Sequence, residues 1–126
     1  MKPNCKWSDT FRYALEGIVV SLKTQRNMRI HLVAAVIVML AALYFGLSLR
    51  DIALLLLVIG FVISAELFNT AIEAVVDLVT PEWHSLAKMA KDAAAGAVLI
   101  AACFAVLIGI VLFYEPVVTW LGIISS

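Results

Sequence analysis

The sequence predicts an all-α membrane protein, with one amphipathic surface helix followed by three transmembrane helices. Of the 126 residues, 64% are apolar and the mean hydropathy is +1.07, well above an ordinary soluble domain. Three long segments are nearly free of charge, and each can cross a hydrocarbon core of about 30 Å. The formal net charge is zero, so no overall positive field would recruit nucleic acid. We expect one domain over residues 1–126.

The surface helix is predicted over about residues 8–24. Ser8 or Asp9 could cap its N-terminus. Its apolar residues recur at three- and four-residue intervals, which is typical of one buried helix face: Phe11, Leu15, Ile18, Val19 and Leu22. Basic flanking residues favour a membrane surface with anionic headgroups. Packing of this face against protein alone is the alternative, because periodicity does not separate the two partners.

The three transmembrane helices are predicted over about residues 30–49, 52–77 and 92–114. Basic residues set their expected orientation. Only Arg50 lies in the first loop, whereas the other lysines and arginines precede the first span or follow the second: Lys2, Lys6, Arg12, Lys23, Arg26, Arg29, Lys88 and Lys91. By the positive-inside rule, the N-terminus is predicted to be cytoplasmic and the C-terminus outside, in a multi-pass protein.

A polar stripe runs along the second predicted span. It consists of Glu66, Asn69, Glu73 and Asp77, spaced by three, four and four residues. At about 100° per residue these side chains lie within roughly 60° of one another, so they share one helix face. Ionisable groups at membrane depth are energetically costly, so this stripe needs either partners or a function.

Lys88, Lys91 and Asp92 lie where the third predicted span begins. The positive end of that helix adds to their attraction for anions, so a phosphate-bearing ligand could bind there. A structural alternative is that the charges pair to fix helix packing, for example Glu73 with Lys91. An oligomer that conducts ions or protons through the carboxylates is another, and a packing or anchor subunit without catalysis is a third.

The segment from Glu66 to Asp77, ELFNTAIEAVVD, is followed by Ala90-Lys91-Asp92 and a helix of small residues. This arrangement resembles the bacterial diacylglycerol kinase and undecaprenol kinase family, over most of the chain. The stretches RNMRIH (26–31) and VDLVTPE (76–82) are similar to the Gram-positive-type branch. Members of that branch tend to use undecaprenol, which makes undecaprenol the favoured substrate and diacylglycerol the alternative.

The resemblance implies a homotrimeric lipid kinase of the bacterial cytoplasmic membrane that uses ATP and Mg²⁺, with active sites at subunit interfaces. It implies that Glu66 is the general base for the lipid hydroxyl, that Glu73 binds the Mg²⁺ and that Asn69 positions metal or phosphate. It also implies that five residues lie near the nucleotide: Lys91, Asp92, Asp77, Tyr13 and Lys6. Phosphoryl transfer depends mainly on positioning and charge neutralisation, which agrees with these residue types.

Gln25 departs from the family pattern, which usually has a metal-binding Glu at this position. A neutral amide is a weaker ligand for Mg²⁺ than a carboxylate. Gln25 could coordinate through its carbonyl oxygen, Glu16 could compensate, or a second metal could be weakly held. The two histidines, His31 and His84, lack a paired ligand at helical spacing. We therefore expect them to be hydrogen-bonding residues at the membrane interface rather than metal ligands.

Overall fold

The computed structural model describes residues 6–123, and over that range it contains four α-helices and no strand. The helices are α1 (Trp7–Thr24), α2 (Arg26–Tyr44), α3 (Leu49–Val79) and α4 (Ser85–Trp120). Three of them, α2, α3 and α4, are long and apolar enough to cross a membrane. The predicted all-α fold with one amphipathic helix and three candidate spans is therefore confirmed.

Helix α1 is joined to α2 by a single non-helical residue, Gln25, whose backbone is extended (φ −98°, ψ 120°). The helix begins at Trp7, and Lys6 rather than Ser8 or Asp9 is its N-cap residue. Asp9 contributes from inside the first turn, where its carboxylate accepts a hydrogen bond from the Lys6 backbone N–H at 3.3 Å. The capping carboxylate was thus correctly placed near the start, but it acts from the third helical position.

The first span ends earlier than predicted, at Tyr44 rather than at residue 49. Gly46 has a positive φ of 66°, and the Leu47 N–H donates to the Ala42 carbonyl at 3.0 Å. This is the Schellman arrangement that terminates helices. Ser48 then caps α3 by accepting a hydrogen bond from the Asp51 N–H at 3.3 Å. The connecting loop is therefore residues 45–48, and the charged residues that suggested a loop at 50–51 belong to the first turn of α3.

Helix α4 is longer than its predicted span of 92–114, because hydropathy marks the membrane-embedded part of a helix and not its ends. It begins at Ser85, where the Nδ1 of His84 accepts a hydrogen bond from the Leu86 N–H at 3.2 Å. It continues through Pro116 to Trp120. A proline lacks the N–H that would bond to the preceding turn, yet here the helix persists beyond it.

Helix α3 packs against both α2 and α4. The hydrophobic cluster lies at the α2–α3 turn, where Ala42, Leu47 and Leu55 are buried and Leu112 and Phe113 of α4 pack against them. Most other apolar side chains are exposed on the single chain, as expected for surfaces that meet lipid or another subunit. The buried polar side chains Glu66 and Asn69 lie in the other half of α3, towards α1.

Candidate active site

Glu66 is the most completely buried charged residue in the described range, with 1% of its surface exposed. His31, in the second turn of α2, brings its Nε2 to 3.3 Å from the Glu66 Oε1. The approach does not have the geometry of a hydrogen bond, and the Glu66 Oε1 has no hydrogen-bond partner. A buried polar atom without a partner is rare in folded proteins, which marks this oxygen as a functional candidate. Because it accepts no hydrogen bond, it is available to accept a proton.

About two turns further along α3, the carboxylate of Glu73 is held by two amides. The Nδ2 of Asn69 donates to the Glu73 Oε1 at 3.1 Å, and the Nε2 of Gln25 donates to the Glu73 Oε2 at 3.1 Å. Asn69 can do so because it lies one helical turn before Glu73. Gln25 reaches the same carboxylate from the α1–α2 junction, so the break between those helices positions a side chain of the site.

The side-chain oxygens in this cluster are suited to bind Mg²⁺. This ion prefers oxygen ligands and usually takes one or two protein carboxylates together with phosphate oxygens and water. Glu73 supplies one carboxylate, and the Oδ1 of Asn69 is buried without a partner. Among residues 6–123 there is no cluster of three or more acidic, histidine or cysteine side chains. The cluster therefore fits a metal shared with a nucleotide better than a metal held by protein ligands alone.

A second polar cluster lies where α3 passes into α4. The Nζ of Lys91 donates to the Asp77 Oδ1 at 2.5 Å, and Lys88 pairs with Asp92 one turn further along α4. These side chains line a cavity of about 400 Å³ that is also walled by the α3–α4 loop. The suggested pairing of Glu73 with Lys91 does not occur, because Glu73 faces the amides and Lys91 reaches Asp77.

The predicted site residues of α1 lie apart from both clusters. Tyr13 is 53% exposed, and its ring lies under the Arg12 guanidinium at 5.1 Å. Glu16 pairs with the same Arg12 on the helix surface, at 3.6 Å, so it does not compensate for Gln25 in this structure. Lys6 is exposed at the start of α1. The stripe residues and α4 residues are thus assembled within one chain, whereas the α1 residues are not.

His31 is the site residue that sequence reasoning missed. It was expected at the interface, whereas it lies with 23% side-chain exposure against Glu66. The tight loop at 45–48 does signal that α2 and α3 are antiparallel neighbours. However, Glu66 lies farther from the loop than His31 does, by about one helical turn. That offset between the facing residues depends on how α2 and α3 pack. The facing residue therefore cannot be read from sequence spacing.

Comparisons with known proteins agree with this arrangement. The family model for prokaryotic diacylglycerol kinase matches residues 12–113. The chain is 47% identical over 111 residues to a diacylglycerol kinase of Synechocystis sp., covering 87% of this chain and 63% of that protein. It is 43% identical over 104 residues to an undecaprenol kinase of Bacillus subtilis, covering 82% and 85%. It is 31% identical over 103 residues to a diacylglycerol kinase of Escherichia coli, covering 82% and 84%.

The chain thus spans 63% of the length of the Synechocystis relative but most of the length of the other two. The family model covers most of α1, all of α2 and α3, and most of α4. All the stripe residues lie inside that match, as do Lys88, Lys91 and Asp92 of α4. The three apolar helices and the match together indicate a bacterial membrane protein, and the chain belongs to the prokaryotic diacylglycerol kinase family.

Proposed function

We propose that this chain is an ATP-dependent kinase that transfers the γ-phosphate of ATP to the hydroxyl of a membrane lipid, with Glu66 as the general base. Family membership supports a lipid kinase acting on an alcohol. The observation that supports the role of Glu66 is its burial together with the unpartnered Oε1. A carboxylate oxygen that accepts no hydrogen bond from the protein can take the hydroxyl proton as the lipid oxygen attacks.

In the proposed reaction, the lipid oxygen forms a bond to the γ-phosphorus while the bond to the ADP oxygen breaks. The hydroxyl proton passes to Glu66, and ADP leaves with its negative charge. The side chains have little covalent chemistry to perform, because phosphoryl transfer is accelerated mainly by positioning and by neutralising charge. Burial of Glu66 also keeps water away from the attacking position, which favours the lipid alcohol as acceptor over hydrolysis.

Glu73 and Asn69 would hold Mg²⁺, with Gln25 at the edge of the same site. The metal would neutralise phosphate charge and orient the transferred group. Glu66 and Glu73 are seven residues apart on α3, about 10 Å along the axis. The base and the metal-binding carboxylate therefore lie about two helical turns apart on the same helix face.

The cavity beside Asp77, Lys91 and Asp92 would accept the nucleotide, with Lys91 contacting phosphate. In the single chain Lys91 is paired with Asp77, so nucleotide binding would exchange that partner. Tyr13 and Lys6 lie outside the cavity here. Their proposed contact with nucleotide would require α1 of another subunit, which accords with the proposed homotrimer and with the extensive apolar surface that α3 and α4 leave exposed.

Undecaprenol is the favoured substrate and diacylglycerol the alternative. The Bacillus subtilis relative, 43% identical over 85% of its length, is named an undecaprenol kinase, and the segments at residues 26–31 and 76–82 resemble that branch. The Synechocystis relative is named a diacylglycerol kinase. The proposed orientation, with a cytoplasmic N-terminus and an outside C-terminus in the cytoplasmic membrane, would place the nucleotide cavity on the ATP-containing side.

The test is label transfer from radiolabelled MgATP in mixed micelles that contain either undecaprenol or diacylglycerol. Wild type is compared with Glu66→Gln and with Glu115→Gln, a matched change on the exposed distal part of α4. Label should appear in one lipid, persist in Glu115→Gln and fall by roughly 10²-fold or more in Glu66→Gln. Transfer that survives in Glu66→Gln would refute the general base, and transfer to neither lipid would favour a conducting or structural oligomer. Chemical crosslinking in the same micelles would report whether three subunits associate.

A further inference from the structure

The contact between His31 and Glu66 has no part in the reaction proposed above. We propose that His31 is a positioning residue that acts through Glu66, by removing the proton that Glu66 takes from the lipid hydroxyl. This inference rests on the proposed role of Glu66 as base. It deepens that role, because a general base must lose its proton before it can serve in the next turnover.

Burial makes the loss of that proton a distinct problem. Glu66 has 1% of its side chain exposed, whereas His31 has 23%. Between the two, the Glu66 Oε1 and the His31 Nε2 are 3.3 Å apart, and the Oε1 has no other partner. His31 lies only five residues from the start of α2, about 7.5 Å along the helix. The imidazole is therefore the one described group that both touches the buried oxygen and remains partly open to the outside.

The geometry of the two groups gives the transfer a direction, from the buried carboxyl to the more exposed imidazole. A neutral imidazole is a common proton acceptor and proton shuttle in proteins. After phosphoryl transfer, the protonated Oε1 of Glu66 would donate to a neutral Nε2 of His31. The imidazolium then releases a proton to water, so that each lipid hydroxyl proton leaves the protein and both side chains return to their starting states.

The other charged groups on the surrounding helices are either held by other side chains or, like Arg26 and Arg29 on α2, exposed and without an effect on Glu66. His31 and Glu73 are the titratable groups that act on Glu66, and Glu73 is engaged by two amide donors. On α4, Lys91 and Lys88 pair with Asp77 and Asp92. On α1, the acidic residues pair with Arg12 at the surface. No described group other than His31 offers a basic nitrogen to the Glu66 carboxyl.

The experiment measures kcat against pH, at saturating MgATP and lipid, for wild type, His31→Gln and His84→Gln. His84 is the only other histidine and caps α4. Wild type should lose activity as pH falls, because a charged imidazole accepts no proton. His31→Gln should lower kcat roughly tenfold or more, leave the KM for ATP unchanged and displace this acid limb, because Glu66 itself must still be ionised to act as the base. His84→Gln should retain the acid limb.

Chemical rescue provides a second measurement. Added imidazole should restore kcat to His31→Ala, more strongly for more basic imidazoles, and should restore nothing to Glu66→Gln. A wild-type kcat in His31→Gln, or a lowered kcat whose acid limb is not displaced, would overturn the proposal. If neither His31 variant yields folded protein, a wild-type profile without the acid limb overturns it too. An active Glu66→Gln would instead refute the general base itself, so failures of the two proposals are distinguishable.

Discussion

Gln25→Glu probes the amide that stands where the family resemblance predicts a metal-binding carboxylate. In the structure, Gln25 donates to Glu73 at 3.1 Å. The substitution removes this donor and sets two carboxylates against each other. Without a metal the variant should therefore be less stable than wild type, and with Mg²⁺ it should gain a ligand. The substitution is thus expected to lower stability in the absence of metal and to strengthen the binding of Mg²⁺ when the metal is present.

The structure sets the size of both effects. Two unit charges about 4 Å apart repel by about 4 kcal/mol at an effective dielectric constant of 20. Gln25 and Glu73 are both partly exposed, and solvent screening reduces this to about 1–2 kcal/mol. Loss of a hydrogen bond to a charged group adds about 1.5 kcal/mol. Relief of the repulsion by Mg²⁺ corresponds to a roughly tenfold lower half-saturating concentration, since about 1.4 kcal/mol is one factor of ten.

The assay combines thermal unfolding in EDTA and in Mg²⁺ with a magnesium titration of kinase activity. Gln25→Met is the control, because it removes the donor without adding charge at similar side-chain length. We expect Gln25→Glu to melt below Gln25→Met in EDTA and to require about tenfold less Mg²⁺ for half activity. An unchanged magnesium titration would show that Gln25 does not lie at the metal site, and would refute the reasoning.

Two further predictions concern the nucleotide cavity and the α2–α3 turn. Lys91→Met should raise the KM for ATP by about 10- to 100-fold, the equivalent of a charge-assisted hydrogen bond, while Lys23→Met on α1 should not; equal KM values for both would remove Lys91 from the nucleotide site. Gly46→Ala should destabilise the protein by about 1–2 kcal/mol, because Gly46 has a φ of 66° and an L-residue there is strained. Gly60→Ala, inside α3 with open space around its Cα, should be neutral or stabilising; chemical unfolding that ranks the two glycine variants equally would contradict the strain argument.

Hydrophobic patterning was sufficient for the helix order, because three charge-poor segments leave few alternatives in a chain of this length. It did not predict the residues at which the helices begin and end. The first span was predicted to continue to residue 49, yet Gly46 and Ser48 stop α2 and start α3 through backbone and capping hydrogen bonds. Likewise α4 starts at Ser85, in polar sequence that hydropathy excludes. Helix termini depend on local hydrogen bonding, and membrane spans depend on hydropathy, so the two boundaries differ.

The candidate site divides in the same way. Helical spacing predicted that Glu66, Asn69 and Glu73 share a face, and the contact from Asn69 to Glu73 follows directly from their four-residue separation. Contacts between helices were less accessible. Lys91 was considered as a partner for Glu73 but reaches Asp77, and His31 meets Glu66 because of how α2 and α3 slide against each other. Such offsets are decided by side-chain packing and not by period.

Gln25, the single extended residue between α1 and α2, couples the relative orientation of these helices to the position of the Glu73 carboxylate. A peptide unit has two soft torsions, so any tilt of α1 relative to α2 must be taken up mainly by φ and ψ of Gln25. Rotation about these torsions also moves the Gln25 side chain, whose amide donates a hydrogen bond to Glu73. A change in the angle between α1 and α2 is therefore expected to move the Glu73 carboxylate as well, because a single residue connects all three.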